Sequence, residues 1–228
     1  MKRLNVLSFG LGAAVMVGLC ASPTWAIPIL ATSSAGFCPA DTVVCFSTVP
    51  TSSGAVTQCL GSGVSVTTHG LGVINYSGGW NVSPNAAWSG RPLIGENACG
   101  ATSTPPIVFK FATPVSQVGG CMTYDPSFGG CTHLIALNSS CVVLTDIDLN
   151  TSACGKICTA GCPTNSGAFR GFTDSTAEIS SFEIVGGVPA IGPSLTFGPA
   201  VAAAPEPPLP LILGSLFGVA ALRKFLGT

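Results

Sequence analysis

Between residues 27 and 199 no stretch holds apolar residues on a 3.6-residue period, and Gly or Pro interrupts almost every apolar run. Short runs with β-branched and aromatic residues recur instead. They predict strands at Thr42–Thr48, Gly63–His69, Leu71–Tyr76, Pro106–Thr113 and Val115–Tyr124. Further strands are expected at Thr132–Asn138, Cys141–Asp148, Gly167–Thr173, Glu178–Val185 and Ser194–Gly198. Two of these runs show which face they bury. In PIVFKFAT, Ile107, Phe109 and Phe111 alternate with Val108 and Lys110, so three large apolar groups share one side and Lys110 points away. In AEISSFEIV, Phe182 and Ile184 share a face opposite Glu183, and Ile179 is out of phase, which predicts a bulge at Ser180–Ser181. Many short strands separated by turn residues predict an all-β fold, a single jelly-roll-like β-sandwich.

The two ends follow different patterns. Residues 1–26 begin with Lys2 and Arg3, continue as a long apolar run to Leu19, and close on small residues. That order is the one a secretory signal peptide uses, and Thr24 and Ala26 place the cut after Ala26. From residue 200 the chain becomes AVAAAPEPP, a small-residue and proline spacer, and then an apolar run from Leu209 to Leu222. Those 14 residues would span roughly 21 Å as a helix, against about 30 Å of bilayer hydrocarbon. Arg223 and Lys224 follow at once and would keep the C-terminus cytoplasmic and the body outside. The expected organisation is a signal peptide at 1–26, an ectodomain at 27–199, and a C-terminal targeting segment with a short transmembrane helix at 200–228.

Charge and cysteine usage sharpen the picture of the ectodomain. From Ile27 to Ala204 there are only four basic and eight acidic residues, with no basic patch, which argues against nucleic-acid binding. Removing the signal removes Cys20 and leaves ten cysteines: Cys38, Cys45, Cys59, Cys99, Cys121, Cys131, Cys141, Cys154, Cys158 and Cys162. An even count in an exported chain points to disulfides, with the connectivity left open.

The tail carries a resemblance. Pro205-Glu206-Pro207, an apolar helix, and the basic pair Arg223-Lys224, in that order, resemble the PEP-CTERM sorting signal of proteins exported by Gram-negative bacteria. One Arg-Lys pair stands where members of the family often carry a longer basic cluster. The resemblance implies transit through the inner membrane and recognition by an exosortase-type processing enzyme. It also implies removal of the tail near Pro205–Pro207 and delivery to the cell surface or an extracellular polysaccharide matrix. Prolines ahead of the span would keep the recognition segment extended and outside the helix. The stretches IVFKFATPVSQVGG, GAFRGFTDSTAEISSFEIVGG and SLTFG look like the β-sandwich ectodomain often found ahead of this signal. Gly192-Pro193-Ser194 departs from the acidic residues that family members often carry before the closing strand.

Candidate chemistry in the body is sparse. His69 and His133 are the only imidazoles, and neither lies in a G-x-S-x-G or H-E-x-x-H motif, so a non-enzymatic protein is expected. His133 follows Cys131 by two residues, which raises a metal site, although export favours oxidation of the thiol. Cys154, Cys158 and Cys162 are spaced by four, but Gly155, Gly161 and Pro163 oppose the helix that would line them up, so disulfide loops are the expectation. Asp146 and Asp148 share one face of a strand and could bind calcium through hard oxygen ligands, or be solvated edge carboxylates. Trp80 and Trp88 could stack on sugar rings or serve as packing. The leading expectation is therefore a structural or adhesive protein of the envelope or matrix. The alternative is a cell-surface carbohydrate-binding module that uses Trp80 and Trp88, with or without calcium; no other cofactor is expected.

Overall fold

The computed structural model describes residues 28–37, 41–80, 85, 87–97, 104–125, 131–149 and 167–198. Within them the chain forms two packed antiparallel sheets, the coarse architecture expected from the sequence. The early strands are β1 (Ile29–Ala31), β2 (Thr42–Cys45), β3 (Ser52–Ser53), β4 (Val56–Gly61), β5 (Val64–Thr68), β6 (Val73–Tyr76) and β7 (Leu93–Gly95). The middle of the chain gives β8 (Ile107–Val115), β9 (Gln117–Thr123), β10 (His133–Leu137) and β11 (Val143–Asp148). The last four are β12 (Ala168–Thr173), β13 (Ile179–Val185), β14 (Ala190–Ile191) and β15 (Ser194–Gly198).

The smaller sheet runs β11-β10-β13-β8-β5-β4. The larger runs β1-β12-β9-β14-β7-β6-β3, with β15 also on β9 and β2 beyond it. The chain changes sheets at Ser116, between β8 and β9, so the apolar residues of two consecutive strands face each other across the interior. Ser116 is buried, and its carbonyl accepts from the Asp174 N–H at 2.6 Å.

Side-chain alternation explains the interior. Ile107, Phe109 and Phe111 on β8 are buried as expected, and Lys110 is exposed. From β13, Phe182 and Ile184 join them. The larger sheet answers with Val118, Met122, Phe172 and Phe197. Phe182 sits at the join: its ring lies 6.1 Å from that of Phe109 on the neighbouring strand and 6.0 Å from that of Phe172 on the other sheet, edge-on. The register of β13 against β8 shifts between Ile179 and Ser181, which is the bulge the sequence phase predicts. The bulge lets Ile179 turn inward despite its phase, and it is fully buried.

Close backbone approach fixes one pair of glycines. Gly171 on β12 and Gly119 on β9 are register partners, and a Cβ on Gly171 would collide with the Val118 carbonyl oxygen. Five strands were not expected from the sequence: β1, β3, β4, β7 and β14. Four of them have only two or three residues, too few to show a period. The fifth, VTQCLG in β4, lies at the sheet edge and buries only Leu60. The expected strand Thr42–Thr48 stops at Cys45, where Phe46–Thr48 turns into a 3₁₀ segment. Among the described residues no helix is long and apolar enough to cross a membrane. The expected signal peptide and the targeting segment, with Pro205, Glu206, Pro207, Arg223 and Lys224, lie outside the described residues.

Candidate functional site

Among the described residues two places carry candidate chemistry, one set by strand register and one by a turn. The first is on the outer face of the smaller sheet, at its β10–β11 edge. The segment Cys131-Thr132-His133-Leu134 is extended, so its side chains alternate. Thr132 and Leu134 are fully buried, which turns Cys131 and His133 outward. On β11, Asp148 stands directly opposite His133, and Asp146 stands opposite Ile135. The two pairs singled out in the sequence, Cys131 with His133 and Asp146 with Asp148, thus form one cluster.

Its geometry is close. His133 Nδ1 and Asp146 Oδ1 are 2.7 Å apart. One ligand atom each from Cys131, His133 and Asp148 lies within 4.8 Å of the other two. Glu183 on β13 is in the same row as Ile135 and Asp146, two strands from β11, and its Oε1 lies 3.4 Å from the Ser181 hydroxyl. The His133 and Asp146 side chains are 34% and 47% exposed, which leaves the cluster open to solvent on one side. Asp146 is thus engaged by an imidazole nitrogen. The neighbouring donors are sulfur, nitrogen and oxygen, not the six to eight oxygens that calcium takes.

The second place is interior and went unnoticed in the sequence. Glu96 follows β7 and is fully buried. Its Oε2 accepts the His69 backbone N–H at 2.6 Å, and the Leu71 backbone N–H also donates to the carboxylate. Glu96 thereby ties down the turn His69–Gly72 that joins β5 to β6. Gly72 makes room for it, because a Cβ there would meet Thr68 and Glu96 Oε2. Burial pushes the Glu96 carboxyl up to about 7, against the smaller lowering by its two backbone donors. The only signal available was an acid set among the apolar residues of β7 in a body with few charges. His69 is structural in this setting: its Nδ1 lies 2.9 Å from the Pro106 carbonyl, an acceptor, so Nδ1 carries the proton.

The tryptophans are used for packing. Trp80 and Trp88 form an antiparallel bridge with reciprocal backbone hydrogen bonds of 2.7 Å. With Leu93 and Ala190 they make a second apolar cluster on the opposite face of the larger sheet from the main core. Trp80 is 8% exposed and Trp88 fully buried, so neither offers the open face that stacking on a sugar needs. The Arg91 guanidinium lies 4.9 Å from the Trp88 ring centre. Packing is one of the two roles the sequence leaves open for this pair, and the burial of both rings agrees with it.

Of the ten candidate cysteines, Cys45, Cys59, Cys121, Cys131 and Cys141 are described, and no bridge joins any two of them. Cys38, Cys99, Cys154, Cys158 and Cys162 lie outside the described residues. No family model matches the chain, and no curated protein or solved structure matches it either.

Proposed function

We propose that this chain is an exported, non-enzymatic protein of the bacterial cell surface or extracellular polysaccharide matrix, sorted and trimmed through its C-terminal segment. The observation that carries the reading is the order Pro205-Glu206-Pro207, apolar run, Arg223-Lys224. A 14-residue span is short for a lasting anchor, since a bilayer asks for about 20 residues. It suffices to hold the chain at the inner membrane while an exosortase-type enzyme acts on the extended prolines. The low-charge, Ser- and Thr-rich sandwich supports a structural or adhesive role over a catalytic one. Export also favours disulfides among the cysteines.

The test is a tail variant in the native host. Changing Pro205-Glu206-Pro207 to Ala-Gln-Ala should leave the chain full-length in the inner-membrane fraction, with the surface and matrix fractions losing most of it. Unchanged fractionation would rule the signal out. A second variant, Arg223→Gln with Lys224→Gln, should weaken retention at the membrane before cleavage and raise the share of unprocessed protein released.

A further inference from the structure

The β10–β11 cluster goes beyond the sorting reading and stands apart from it. We propose that Cys131, His133 and Asp148 bind one late first-row divalent cation, zinc in preference to calcium, with Asp146 as the positioning residue for His133. The donor set carries the argument. A thiolate, an imidazole and a carboxylate, with ligand atoms all within 4.8 Å of one another, are the ligand types zinc takes. Calcium and magnesium take oxygen alone.

Asp146 supports the same cation. Its Oδ1, 2.7 Å from His133 Nδ1, accepts that nitrogen's proton and fixes the tautomer with the lone pair on Nε2. A carboxylate behind a metal-binding imidazole orients the ring and makes it a better donor. Two anionic ligands side by side, the Cys131 thiolate and the Asp148 carboxylate, repel one another until a cation lies between them. Three protein ligands on an open sheet face leave a fourth position for water or an outside ligand.

The proposal takes Cys131 out of the disulfide set, since a metal-held thiolate is shielded from oxidation.

The test uses the full processed protein, purified without chelator, and zinc alone as the probe. One zinc per chain should bind in equilibrium dialysis and survive millimolar calcium. Cobalt(II) in its place should show the visible absorption of a thiolate-ligated tetrahedral ion. Cys131→Ser should abolish that thiolate absorption, and His133→Ala should remove stoichiometric binding. Asp146→Asn should keep one ion per chain but weaken it by about 10–100-fold. Circular dichroism of each variant separates loss of the site from loss of the fold, because all four side chains lie on an outer face. The proposal is overturned by wild-type zinc binding in Cys131→Ser, by displacement of zinc with calcium, or by peptide mapping that finds Cys131 in a disulfide of the native protein. Ester hydrolysis by metal-free protein that Cys131→Ser abolishes would overturn it in favour of a nucleophile.

Discussion

Alanine in place of Phe182 is expected to lower the unfolding free energy by about 3–5 kcal/mol. Phe182 is fully buried, contacts Phe109 within its own sheet, and meets Phe172 of the other sheet edge-on. Truncation therefore loses the transfer energy of a large ring and leaves a cavity where the two layers meet. Neighbouring strands cannot close it, because β8 and β13 are held in register on either side of the bulge. Urea unfolding should show the midpoint falling with little change in slope. Val143→Ala is the control: this side chain is 53% exposed on edge strand β11 and should change stability by no more than about 0.5 kcal/mol. A Phe182→Ala effect as small as that of Val143→Ala would mean that the two sheets do not pack through this residue.

Glu96 should impose a pH dependence of comparable size. In the folded protein the carboxyl holds its proton up to about pH 7, against an ordinary value of 4.5 for an exposed glutamate. Unfolding therefore releases a proton between these values, and stability falls as the pH rises through that window. The full shift corresponds to about 3 kcal/mol, present below about pH 4.5 and lost by about pH 8. Glu96→Gln keeps an oxygen for the His69 N–H and cannot titrate, so the difference between wild type and variant should grow with pH. Unfolding curves at pH 5, 6, 7 and 8 measure it. Parallel profiles for the two proteins would show that Glu96 is ionised at no net cost inside the fold.

The fold was legible wherever a strand was long enough to show alternation. Ile107, Phe109 and Phe111 face inward, Lys110 faces outward, and the phase slip at Ile179 is a bulge. Strands of two or three residues, such as Ala190–Ile191, carry no period and exist because longer neighbours offer them a ladder. The site was legible in halves. Sequence spacing gave Cys131 with His133 and Asp146 with Asp148, and only the antiparallel register of β10 on β11 joins them. Glu96 and the tryptophans show the converse. Their surroundings, a turn and an outer sheet face, come from elsewhere in the chain, so the immediate sequence offers only a lone acid beside apolar residues and leaves the tryptophans open between stacking and packing.

The sandwich and the tail bear on function differently. The outer-face cluster is chemistry that the folded body would carry wherever it is delivered. The sorting role proposed for the tail concerns delivery itself, and it requires that the mature protein no longer carries that segment. Intact mass analysis of protein isolated from the surface or matrix of its native host tests this most directly. The expected chain starts after Ala26 and ends near Pro205–Pro207, without the apolar run and without Arg223-Lys224. A mass that extends to Thr228 would contradict it and leave a plain membrane-tethered domain.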